Sequence, residues 1–420
     1  MKYKLAGIVL GLGVFFLALE TAKAAEEQKP PTAEQKPAEP EDKPLGPGWL
    51  SLDCCVGPLD NAIANGKGVL EKALGIGISG FLDTSYTWSS NHPRSPSDIS
   101  GRYFHKDHNK IVFNDFNLTL DKPEKDWGVG FHFVGDFGRT GELLREATLW
   151  NKKLQKQPSA ELREAFLTTT IPIGEGLQIK AGKFVTLLGA EILPTPGARN
   201  PNISDSFMFL FSIPFTHTGA LFTYPVLKTL SISAGPVTGW DNPHDNNSRP
   251  SFLGGVNFTP IDTFAFTSNV IVGPEQRHQN GRTRFVISNV ATIKPMSDLT
   301  FILDYDYGHE EKVTASLRDA TWQGFSAIAS YDWTERVNTA LRGEWFNDRD
   351  GARLGGDFFG THANVNVGEV TLTGAYKFTK MLVGRAEVRQ DWSDRRFYQR
   401  GSSSADKNQT TLALQVIYTY

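Results

Sequence analysis

A transmembrane antiparallel β-barrel of about sixteen strands is the fold class this sequence predicts, all-β with short turns on one rim and long loops on the other. Three observations predict it. From Gly75 to Tyr420 the chain runs in alternating apolar and polar segments of about ten residues. Their connections alternate between short and long. After Leu19 no apolar stretch is long enough to cross a bilayer as a helix.

Taken in order, the amino terminus comes first. Lys2 and Lys4 precede an apolar run from Leu5 to Leu19, and Ala22-Lys23-Ala24 follows as an A-x-A cleavage site, so residues 1–24 read as a signal peptide. Removing them, with three lysines and one glutamate, takes the formal charge from -3 to about -5. That mild charge argues against nucleic-acid binding. Residues 25–74 read as a tether. Ala25 to Pro44 is rich in Pro, Glu and Lys and cannot bury enough surface to fold, and a short helix is predicted near Leu59 to Leu74. Cys54 and Cys55 are the only cysteines. Two adjacent thiols exclude both a disulfide scaffold and a four-cysteine zinc site.

Strands are predicted near 75–88, 110–121, 127–138, 160–173, 177–188, 216–226, 229–241, 251–260, 264–273, 282–294, 298–308, 321–333, 336–347, 366–378, 381–392 and 409–420. The turns "DKPEKD", "GEG", "LKT", "IDT", "KPMSD", "TE" and "FTK" follow the even-numbered strands, and longer Pro- and Gly-rich loops follow the odd ones. Tight periplasmic turns with extended external loops are the layout of an outer-membrane barrel.

Energetics decides which face meets lipid. In Met381–Trp392, Arg385, Glu387, Arg389 and Asp391 share one parity, and Leu382, Ala386, Val388 and Trp392 share the other. Arg342 and Glu344 stand likewise opposite Val337, Leu341 and Trp345. An arginine at the bilayer midplane costs about 2–4 kcal/mol, so the charged parity points inward. Unpaired charges cannot line a dry core, so the interior is expected to hold water. Trp88, Trp127, Trp240, Trp322, Trp333, Trp345, Trp392, Tyr418 and Tyr420 are expected in interface girdles.

The final segment, Thr410–Tyr420, alternates to its last residue. Closure of the sheet on its first strand would leave no edge unsatisfied in lipid. A terminal aromatic after alternating apolar residues also resembles the signal that hands outer-membrane proteins to the barrel-assembly machinery.

The stretches "GIGISGFLDTSYTW", "FNDFNLTLDKP", "GVGFHFVGDFG" and "LQIKAGKFVTLLGAE" resemble the beta-barrel porin-2, OmpL-like family. The resemblance covers residues 75–420 and implies an outer-membrane channel for passive diffusion of small hydrophilic solutes or ions, with no catalytic signature and no cofactor. General porins, which the layout also resembles, fold their third long loop into the lumen. Here that loop is Gly189–Thr218, with four prolines and an apolar patch at Phe207–Phe211. Exposed outside the cell, such a patch would be a liability.

The expected pore-lining set is therefore Glu191, Arg199 and Asp205 on the loop, approaching Arg342, Glu344, Arg385, Glu387 and Arg389 across the pore. "HKDH", His105 to His108, holds two potential metal ligands, but such a pair on a loop is common by chance, so no metal site is expected. Two other function classes compete. A barrel-anchored lipase-like enzyme would need a Ser/His pair such as Ser206 and His217. A receptor or adhesin would need large external loops, and the longest here is about thirty residues. The expected partners are solutes or ions, outer-membrane lipid, the assembly machinery and further copies of the chain.

Overall fold

The computed structural model describes residues 57–94, 98–124, 128–148, 159–193, 200–355, 360 and 364–420. The predicted signal peptide, Pro-rich tether and cysteine pair lie outside the described residues, as do Trp127 and Arg199.

Sixteen strands close into one antiparallel barrel. They are β1 Gly77–Ser89, β2 Lys110–Lys122, β3 Gly130–Phe137, β4 Ala160–Ile171, β5 Leu177–Val185, β6 Thr216–Leu227, β7 Leu230–Val237, β8 Ser251–Ile261, β9 Phe264–Pro274, β10 Thr283–Met296, β11 Leu299–Glu310, β12 Ala320–Asp332, β13 Val337–Asp348, β14 Val365–Lys377, β15 Leu382–Ser393 and β18 Asn408–Thr419. Two short strands, β16 Tyr398–Arg400 and β17 Ser404–Asp406, form a hairpin inside the last long loop. Each predicted strand matches one barrel strand. A helix, Arg139–Thr148, interrupts the second long loop.

The seam is made by β1 and β18, paired from Phe81↔Thr419 to Ser89↔Thr411. Tyr420 finishes the closure. Its backbone bonds with Gly80 in both directions, and its hydroxyl donates to the Asn117 carbonyl at 2.7 Å. No described helix is long and apolar enough to cross a membrane, so the chain crosses with strands. A helix at Gly57–Leu74 stands at the rim where β1 starts, held by Tyr418 Oη to Asp60 at 2.9 Å and by the Ile78 amide to Glu71 at 2.9 Å.

The parity argument holds on both faces. Leu341, Trp345, Val370, Leu372, Val388, Trp392, Leu412, Leu414 and Val416 are exposed on the outside, whereas Arg342, Glu344, Glu369, Glu387, Arg389 and Asp391 are buried within. The expectation that these charges look into water requires correction. Arg342, Glu369 and Arg389 are 0% exposed, because loops enter the barrel and pack over them. A buried charge needs a partner in good geometry, and the incoming loops supply one.

Those loops also bring their own apolar core inside the barrel. Phe104 of the first long loop, Leu143 and Leu144 of the second, Phe207–Leu210 of the third, Trp240 of the fourth and Phe397 of the last pack with wall residues such as Phe184, Trp322 and Phe346. Trp240 and Trp322 are therefore interior residues rather than girdle residues. Trp333, Trp345 and Trp392 do face outward.

Candidate functional site: the third loop and its wall

At the end of β5 the chain turns inward instead of continuing the predicted strand to residue 188. Asn269 donates to the Leu187 carbonyl at 2.6 Å, and Gly189 adopts φ 81°, a left-handed conformation that glycine takes without strain. A Cβ at Gly189 would also overlap the Ile213 side chain of the returning leg. Gly189→Val is expected to displace the loop while the sheet persists. Single-channel recordings should show a wider or noisier pore, and wild-type records would refute the role of this turn.

From Gly189 the loop crosses to the far wall. Glu191 meets Arg342 Nη1 at 2.6 Å and accepts the Ser206 amide at 2.9 Å. Arg385 donates to the carbonyls of Asn200 and Asn202, at 2.8 and 3.2 Å. Glu387 accepts the amides of Ile203 at 2.6 Å and Ser204 at 3.1 Å. Arg389 donates to the Asp205 carbonyl at 2.7 Å. Glu344 accepts the amides of Phe207 at 2.7 Å and Met208 at 2.5 Å, where a short π-helical turn, Met208–Ser212, begins. Each wall carboxylate thus satisfies two adjacent amides that β-pairing leaves free.

Behind the loop the wall charges join one another. Arg342 Nε reaches Glu369 at 2.6 Å, Arg389 Nε lies 2.6 Å from Asp391 and 3.7 Å from Glu369, and Thr371 bonds Glu369. Arg102, from the first long loop, meets Asp391 at 3.4 Å. Glu344 and Glu369 stand directly opposite each other in the β13–β14 register, as do Glu369 and Asp391 in β14–β15. Like charges in that position repel, and the offset Arg342 and Arg389 relieve this.

The returning leg is fixed by three groups. Trp322 Nε1 donates to the Ser212 carbonyl at 3.1 Å, and Arg353 donates to that of Phe211 at 2.6 Å while lying 4.6 Å from the Trp240 ring. Asp241 accepts the amides of Phe215 and Thr216 at 2.7 and 2.8 Å. Burial pushes the Asp241 carboxyl up to about 6, with the two amides pulling the other way.

Seven of the eight expected site residues thus meet in one network; Arg199 lies outside the described residues. The expected opposition across an open gap differs from what is observed, since Glu191 and Arg342 are in direct contact. Sequence reasoning missed Glu369, although its parity with Thr371 and Thr373 in β14 carries the signal. Parity also marks Asp304 and Asp306 in β11. Nothing in the sequence marks Arg102. Ser206 and His217 do not form a nucleophile–base pair. The His217 ring nitrogens lie 3.0 Å from Thr186 Oγ1 and 3.0 Å from the Gly239 carbonyl, while Ser206 Oγ accepts the Phe209 amide.

Among solved structures, the outer membrane channel DcaP of Acinetobacter baumannii is similar at TM-score 0.54 and 14% identity, covering 82% of this chain and 97% of that one. The anion-selective porin from Comamonas acidovorans is similar at 0.58 and 8% identity, with coverage of 82% and 99%. The trimer form of OmpT from Vibrio cholerae is similar at 0.54 and 13% identity, with coverage of 82% and 99%. At these identities the likeness speaks to the fold. No curated protein sequence matches the chain. The family profile described as Putative beta-barrel porin-2, OmpL-like matches residues 75–420, the whole of the barrel. The chain belongs to that family, and it is an outer-membrane porin, a channel protein rather than an enzyme.

Proposed function

We propose that the chain passes small hydrophilic solutes or ions by passive diffusion, through a lumen whose width and charge preference the third loop sets. The observation that carries this is the loop's path: bonded to Glu344, Arg385, Glu387 and Arg389 on the wall opposite its root, it leaves only the remaining cross-section for transport. Glu191, Asp205, Arg342 and the undescribed Arg199 complete the proposed constriction. Fixed charges at a narrowing bias which sign of solute passes. The likeness to an anion-selective porin and to a trimeric one supports ion preference and self-association as expectations for this chain. Its exposed apolar band suits outer-membrane lipid, and β18 suits hand-over to the assembly machinery.

Planar-bilayer recording tests the proposal. Purified chain should give stepwise conductance and a non-zero reversal potential in a salt gradient. Replacing Arg385 and Arg389 together with alanine should shift that potential toward cations. Because both arginines hold loop carbonyls, the current should also become noisier. Folded protein that never conducts would favour an anchor and defeat the proposal. An unchanged reversal potential would remove the two arginines from the filter.

A further inference from the structure

Asp304 and Asp306 of β11 lie inside the barrel where the outgoing and returning legs of the third loop meet the wall. They are 6% and 0% exposed. Ala190 donates its amide to Asp304 Oδ2 at 3.0 Å. Asp304 Oδ1 and both oxygens of Asp306 are buried with no hydrogen-bond partner, and so is the hydroxyl of Ser212, 0% exposed, on the returning leg beside Asp306. The charged groups near Asp304 are Asp306, Glu191 and Glu344, all acidic. Neither aspartate has a basic partner among the described residues. With these two included, eight carboxylates of the loop and its wall face four arginines: Arg102, Arg342, Arg385 and Arg389. Two buried carboxylates without counter-charge are too costly to persist as drawn.

We propose that Asp304 and Asp306, with the Ser212 hydroxyl, form a site for one hard divalent cation of the Ca²⁺ class, which ties the third loop to β11. The chemistry favours such an ion. Every unpartnered carboxylate atom here is an oxygen acceptor, the donor type hard cations select, and there is no thiolate or imidazole for a softer metal. A single shared proton would cancel one charge of two. A divalent ion cancels both and draws on the hydroxyl as well. The site fixes loop position and is independent of which solute the channel passes.

The test uses full-length protein, stripped with EDTA and held in detergent free of anionic lipid. Ca²⁺ titration should show one saturable ion per chain, and the thermal unfolding midpoint should rise with the logarithm of Ca²⁺ concentration. Asp306→Asn and Asp304→Asn, near-isosteric and each uncharged, should lose both the binding and the shift. Wild-type protein that binds no Ca²⁺, or an Asp306→Asn chain that binds it as wild type does, overturns the proposal. A midpoint that ignores Ca²⁺ and falls only as pH rises through neutrality would assign the pair to a shared proton and overturn it equally. Because binding and unfolding are read without a bilayer, a non-conducting protein would leave this result standing.

Discussion

Replacing Arg342 with alanine is expected to release the third loop from the wall and to destabilise the barrel interior by about 3–5 kcal/mol, the usual cost of removing one member of a buried ion pair. Arg342 is 0% exposed and serves Glu191 and Glu369 at 2.6 Å each. Its loss leaves two buried carboxylates facing each other with no cation between them. The strands keep their backbone bonds, so the protein should still insert. Urea unfolding from vesicles measures the energy, and single-channel records measure the loop: conductance should rise and flicker. Wild-type stability together with wild-type current would show that Arg342 does not hold the loop.

Trp322→Ala should cost a similar amount, about 3–5 kcal/mol for removing a large buried aromatic. Trp322 is 1% exposed, packs edge-to-face with Trp240 at a centroid distance of 6.5 Å, and donates to Ser212. The informative control is Trp345→Ala. That ring belongs to the same barrel wall but is 42% exposed on the lipid side. It should lose less stability and leave the current unchanged. Equal effects from the two substitutions would contradict the division of the wall into a loop-packed inside and a lipid-facing outside.

Most of the barrel was legible because one physical rule repeats along it. The alternation in Met381–Trp392 and Thr410–Tyr420 fixes which side chains face lipid, and in each strand a one-residue slip would bury the wrong set. Turn length then fixed the rims. Less legible were the points where the chain leaves the sheet. Leu188 continues an alternating segment, yet Gly189 and the carbonyl of Leu187 turn it into the lumen, where Asn269, 82 residues away in sequence, holds it. Period alone does not distinguish a strand's last residues from the start of an incoming loop.

The site was legible in its residue types but not in its state of hydration. Arg342, Glu344, Arg385, Glu387 and Arg389 share the inward parity, which the sequence displays. That the loop's own amides would occupy Glu344 and Glu387 depends on long-range contacts between residue 200 and residue 390, which leave no local pattern. The same contacts explain Trp240 and Trp322. As isolated strand-end aromatics they resemble girdle residues, and only the apolar run at Phe207–Phe211 entering the barrel gives them an interior partner.

The central claim is that the loop between β5 and β6 occupies the lumen and sets the width of the channel. Replacing residues 191–212 with a short Gly-Ser linker tests it directly, because the wall charges left behind would then be solvated rather than stranded. Single-channel conductance of the shortened protein should be several times that of the full chain, with weaker ion preference. A folded, inserted barrel with unchanged conductance and selectivity would contradict the account.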